Sequence, residues 1–140
     1  MTHALEATSA ARQARNEGNL SAARKHYAEA ANYYREQNDH LAYAHSIRHI
    51  ADIYQQESNS NEAKPLYEEA LELYRSNLHT KLLDLANTVR PYALLVEQEG
   101  LHDLAITLWT EARNLYGSLR LEVGVSQCET HLSSLHHPDR

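Results

Sequence analysis

Ala23-Arg24-Lys25-His26-Tyr27-Ala28-Glu29-Ala30 returns twice in altered form, as Ala63-Lys64-Pro65-Leu66-Tyr67-Glu68-Glu69-Ala70 and as Ala105-Ile106-Thr107-Leu108-Trp109-Thr110-Glu111-Ala112. Each copy has Ala first, an aromatic ring at i+4 and Ala at i+7. Those positions share one helical face, so each stretch reads as a helix with two small residues flanking a ring. The copies start 63 − 23 = 40 and 105 − 63 = 42 residues apart. A period of this length marks stacked supersecondary units rather than one irregular core.

The chain around these copies reads as all-α. Four Gly and three Pro in 140 residues leave room for few turns. Seven helices are predicted: about 2–17, 21–37, 39–57, a fourth from the polar turn at 58–61 to 78, then 80–100, 101–116 and 119–135. Gly18-Asn19, Asn38 and Gly117 read as stops, and Asp39 and Thr80 as N-caps. Pro65 falls in the opening turns of its helix. Pro91 falls mid-helix, where it removes the donor to the Asn87 carbonyl and predicts a kink, or a break into two helices. One domain is expected over 1–135, in hairpins of about 2–37, 39–79 and 80–117 with a capping helix at 119–135. Residues 136–140 read as a loose tail.

The last helix carries Leu121, Val125, Cys128, Leu132 and Leu135 as one apolar stripe, opposite Glu122, Gln127, Glu129 and Ser133. Such a helix seals the end of a stack. Cys128 reads as a small buried residue of that stripe rather than a reactive thiol.

Formal net charge is −6 with no basic block, which disfavours nucleic acid as a partner. No apolar run approaches a membrane span of roughly 20 residues. The start, Met1-Thr2-His3-Ala4-Leu5-Glu6, lacks the basic and apolar regions of a secretory leader. A single cysteine fits a reducing compartment, so the expectation is a cytoplasmic protein.

At this level of detail the chain resembles the tetratricopeptide repeat family. In the second copy, Ile47, Ile50, Ala51 and Tyr54 stand at the large, large, small and aromatic positions of that family's first helix. Ala63, Tyr67 and Ala70 stand at the small, aromatic and small positions of its second. The third copy has Val89, Tyr92, Ala93 and Val96, then Gly100, Ala105, Trp109 and Ala112. The first has Ala7, Ala10, Ala11 and Ala14, then Gly18, Ala23, Tyr27 and Ala30. The resemblance covers about residues 4–119, and the final helix looks like the family's solvating cap. Spacings of 40 and 42 exceed the usual repeat of about 34 by close to two helical turns. Leu71-Glu72-Leu73-Tyr74 and Leu82-Leu83-Asp84-Leu85 carry that extra length, as in the long-helix members among short bacterial proteins.

The resemblance implies an α-α superhelix (a solenoid) of three hairpins plus a cap. It also implies a non-enzymatic protein-interaction module, with no cofactor and no metal. The first helix of each hairpin would line a concave groove. Subtracting core positions leaves Leu5, Thr8, Arg12 and Arg15 on the first helix. The third helix contributes Leu41, His45, Arg48, Asp52 and Gln55, and the fifth Leu83, Asn87, Arg90, Leu94 and Glu97. Arg48 and Arg90 hold equivalent positions. With Arg12 they suit the carboxylates of an acidic peptide or partner protein through forked donors. The competing reading of Arg48 is a plain i, i+4 pair with Asp52. The positions matching the family's chaperone-binding carboxylate clamp are Thr8, Arg12, His49, Asn87 and Pro91, and none carries the clamp residue. A self-associating scaffold, packing through Leu5, Leu41 and Leu83, is the alternative function. A small-ligand or enzymatic role is more remote.

His45 and His49 have a spacing that suits a metal, but the sequence between them is Ser46-Ile47-Arg48, with no Glu and with an opposing cation. No Gly-rich phosphate loop, Cys-x-x-Cys or catalytic triad stands out. Protonating all ten histidines would move the formal charge from −6 to +4, so acidic ligands are expected to bind His45's row more tightly as pH falls.

Overall fold

The computed structural model describes residues 2–136, the side chain of Thr2 excepted. Among these residues there are seven helices and no strand: α1 (Thr2–Asn16), α2 (Leu20–Glu36), α3 (His40–Gln56), α4 (Ser60–Arg75), α5 (Leu82–Gln98), α6 (His102–Ser118) and α7 (Glu122–Leu135). The helices pack as consecutive hairpins, as an all-α helical repeat requires. Of the expected tail at 136–140, residues 137–140 lie outside the described residues, and His136 N–H donates to Leu132 O at 2.9 Å.

Five of the six connections are three-residue joints of one design. The middle residue takes a left-handed backbone at Gly18 (φ 81°), Asn38 (57°), Ser58 (61°), Gly100 (81°) and Arg120 (57°). The next residue serves two helices. The Asn19 N–H donates to Ala14 O at 2.8 Å, closing α1, while the Asn19 carbonyl accepts from Ala23 N at 3.0 Å, opening α2. Asp39 does the same between Tyr34 and Tyr43, Asn59 between Tyr54 and Ala63, Leu101 between Val96 and Ala105, and Leu121 between Tyr116 and Val125. Asn19 and Asp39 add a side-chain cap, accepting from Ala22 N at 3.1 Å and Ala42 N at 3.2 Å.

Several sequence-based boundaries move. Gly117 is helical rather than a stop, because the Leu121–Tyr116 bond sets the turn three residues later, at Arg120. For the same reason α7 begins at Glu122 and not near 119. Thr80 is not the cap of α5. The first backbone bond of that helix runs from Leu85 N to Lys81 O, so Lys81 holds the cap position. Helix α4 ends at Arg75 rather than 78, where the Ser76 hydroxyl donates to Glu72 O at 2.8 Å and satisfies a terminal carbonyl. Pro91 does not break its helix: α5 is continuous from Leu82 to Gln98.

The chain divides into two compact units at the Leu78–His79 step. In the first, α1 packs on α2, α2 on α3 and α3 on α4; in the second, α5 packs on α6 and α6 on α7. The core of both follows the repeated face. Ala23, Tyr27, Ala30, Ala63, Tyr67, Ala70, Ala105, Trp109 and Ala112 are all buried, with Ala11, Ala51 and Ala93 on the facing helices. Methyl-sized side chains at these contacts let the rings fill the space beside them. Of the apolar stripe read in the sequence, Cys128 and Leu132 on α7 are buried, Val125 and Leu135 half-buried, and Leu121, which precedes the helix, is exposed. Burial raises the Cys128 thiol pKa, which keeps it protonated and unreactive. Gly124 lies against the Tyr116 ring so closely that a Cβ there would sit 2.6 Å from Cγ.

Candidate functional site

In the first unit, the polar row on α1 and α3 converges on a ring pair, the buried Tyr27 and the half-buried His49. The Tyr27 ring of α2 stacks on His49 of α3, with centroids 4.9 Å apart and planes within 6°. His45 meets the edge of His49 at 4.5 Å. Burial is the main force lowering the His49 pKa to about 2, and Arg48, His45, Arg15 and Arg12 add to it. His49 is therefore a neutral imidazole with cations around it. Its Nδ1 is buried without a hydrogen-bond partner among the described residues. The Tyr27 phenol is raised by burial, opposed by Arg15, Arg12 and Arg48.

The surrounding residues divide between engaged and open. Arg48 Nη1 donates to Asp52 Oδ2 at 2.8 Å, with side chains only 12% and 17% exposed. Asp52 Oδ1 also accepts from the Tyr67 hydroxyl at 2.5 Å. Burial and that carboxylate hold the Tyr67 phenol protonated. Arg48 is thus partly committed inside the repeat, as its i, i+4 spacing from Asp52 suggested. Arg15 Nη2 reaches Gln56 Oε1 at 3.4 Å, linking α1 to α3. Arg12 is exposed, while Thr8, His45 and Gln55 are half-buried. The Thr8 hydroxyl is turned back onto Ala4 O at 2.9 Å, as mid-helix threonines often are.

The second unit has its own polar cluster on α5, α6 and α7. Trp109 of α6 stacks on His131 of α7 at 4.1 Å and 9°. Its Nε1–H donates to Glu97 Oε1 at 2.7 Å, and His131 Nδ1 lies 3.0 Å from that same oxygen. Asn87 Oδ1 accepts from the Tyr116 hydroxyl at 2.7 Å. Arg90 Nη1 donates to Gln127 Oε1 at 2.8 Å, and its guanidinium carbon lies 5.8 Å from the Tyr116 ring centre. A cavity of about 330 Å³ opens between Arg90, Pro91, Leu94, Trp109, Gln127 and His131.

Sequence reading placed Arg90, Leu94 and Glu97 in the row but missed what α7 adds. Gln127, on the polar face of α7, is exposed and accepts from Arg90. The signal was present: the aromatic-to-histidine separation is 49 − 27 = 22 in the first unit and 131 − 109 = 22 in the second. A repeated spacing from core ring to following helix places α7 in the same role as α3. No group of three or more metal-ligating side chains occurs among the described residues. No helix among them is long and apolar enough to cross a membrane.

A profile of the family described as Tetratricopeptide repeat matches residues 4–76. No curated protein matches the chain.

Proposed function

The chain belongs to the tetratricopeptide repeat family, and from that premise we propose that it is a non-enzymatic interaction module whose first unit binds an acidic peptide along α1 and α3. Repeats of this family generally mediate protein–protein interaction. The supporting observation is the charge around Tyr27 and His49. Arg12, Arg15 and Arg48 all act on that ring pair, and the Asp52 carboxylate opposes them at Tyr27. Arg12 is exposed and offers its guanidinium edge to a carboxylate, with Arg15 and His45 in the same row. This basic face sits in a chain of net charge −6, so local charge rather than the overall balance selects the partner.

Fluorescence anisotropy with a labelled peptide alternating Glu and Leu tests the reading, with a Lys-for-Glu peptide as control. The acidic peptide binds, the basic one does not, and raising salt weakens the complex. Arg12→Glu with Arg15→Glu lowers affinity at least tenfold. Equal affinity of wild type and double variant would refute the assignment.

Self-association is the second reading, favoured by exposed Leu5 and Leu83. Leu41, expected to share that role, is half-buried. Light scattering that gives a monomer mass at high concentration eliminates this reading.

A further inference from the structure

The third repeat departs from the second at one register position, and the departure leaves a cation without its counter-charge. Arg48 and Arg90 are equivalent residues 42 apart, as are Asp52 and Leu94, Gln55 and Glu97, and Tyr67 and Trp109. In the second repeat the carboxylate is at the arginine's i+4 position. Asp52 there receives both Arg48 and the Tyr67 hydroxyl. In the third repeat the carboxylate has moved one turn along α5, to Glu97. It still receives the core aromatic, through Trp109 Nε1, and it faces His131 as well. The i+4 position is now Leu94. Among the described residues, Arg90 donates one hydrogen bond, to the neutral amide of Gln127, and makes no ion pair with a carboxylate. Its Nε is buried without a partner.

A half-buried guanidinium lacking a carboxylate is costly unless an anion completes it. Arg90 also forms one wall of the 330 Å³ cavity, whose other walls include Leu94 and Pro91. That volume is at the lower end for small-molecule sites. Glu97 does not oppose an incoming anion at full strength, because its Oε1 is already held by Trp109 and approached by His131.

We propose that this cavity is a binding site for a compact carboxylate with a branched or aryl apolar body, its anion on Arg90 and its apolar body against Leu94 and Pro91. The ligand replaces the carboxylate that the second repeat supplies internally. The same chemistry is offered by a free organic acid or by a peptide chain ending in a leucine carboxylate. The site's residues all belong to the second unit and Arg12 and Arg15 to the first, so each proposal can fail without the other.

Trp109, the single tryptophan, reports from the cavity wall. The full chain is titrated with 4-methylpentanoate and phenylacetate, followed by tryptophan fluorescence and calorimetry, with 4-methylpentanamide as the neutral control. Both acids give saturable binding, and the amide binds at least tenfold more weakly. Leu94→Asp restores the i+4 carboxylate of the second repeat, and Arg90→Gln removes the cation. Each lowers acid affinity at least tenfold, with the helical circular dichroism unchanged. Arg12→Glu leaves acid affinity as in the wild type. An acetyl-Gly-Ser-Leu peptide with a free or an amidated end identifies the source. Binding of the free-ended form supports a chain terminus, and binding of the small acids alone supports a free metabolite-sized acid. Equal binding of acid and amide, or full acid affinity in Leu94→Asp or Arg90→Gln, overturns the proposal.

Discussion

His49 is a residue whose charge the fold suppresses, and the consequence for stability has a definite sign. An imidazole in the unfolded chain takes a proton near pH 6.5, whereas folded His49 does so only near 2. Between those values the unfolded state holds more protons, so stability falls as pH drops below about 6.5. The groups that face His49 are Arg12 and Arg15 from α1, Tyr27 from α2, and His45 and Arg48 on its own helix. Among the described residues, the carboxylate of this cluster, Asp52, acts on Tyr27 and is held by Arg48 and the Tyr67 hydroxyl rather than by the imidazole. Denaturant titrations at pH 7 and pH 5 measure the effect. Wild type loses about 1–2 kcal/mol more over that interval than His49→Phe, which keeps a ring against Tyr27. Identical pH slopes in the two proteins would contradict the burial of a neutral imidazole. The same neutrality means that His49 adds no positive charge for an acidic ligand between pH 7 and 5.

At the scale of the helix, the alanine–aromatic–alanine face was legible because packing and local pattern agree there. Gly18, Gly100 and Asp39 were legible because each does what its side chain does best, adopting a left-handed backbone or capping. Gly117 misled for a physical reason. Glycine ends helices when its freedom is needed for a turn, but here it lies within α6, and the left-handed position falls on Arg120. Tertiary packing overrode the local preference. Arg120 therefore carries backbone strain that glycine would relieve. Arg120→Gly raises stability by about 0.5–1 kcal/mol in urea unfolding. Gly18→Ala, at the matching position with open space around it, lowers stability by about 1 kcal/mol. The candidate sites were less legible than the helices. Which residues share a face follows from 3.6-residue periodicity, but which of them find partners depends on α7 and on which carboxylate faces which cation. Arg48 and Arg90 look interchangeable in sequence and differ in the folded protein through Asp52 and Leu94.

For the whole molecule, the connection from Ser76 to Lys81 stands apart from the three-residue joints. It holds Leu78, which is fully exposed, at the step where the two compact units divide. Limited digestion is expected to start there, with chymotrypsin after Leu78 and trypsin after Lys81, yielding fragments near residues 1–78 and 82–140 before any helix is cut. First cleavage inside α3 or α6 would contradict the division. Left-handed residues at 18, 38 and 58, and again at 100 and 120, are 20 apart within each unit, whereas 58 to 100 is 42, or 40 + 2. The two additional residues of the later repeat thus belong to this connection and not to any helix.

The doubly employed joint residues restrict how this sequence can change in length. Adding a single amino acid inside a helix would swing everything after it by about 100° and part Tyr27 from His49, or Trp109 from His131. A change of length is expected to be tolerated best in the segment between Arg75 and Leu82, which lies outside both 22-residue separations of a ring from its stacked histidine. That makes it the natural splice point for grafting a foreign segment or an additional hairpin.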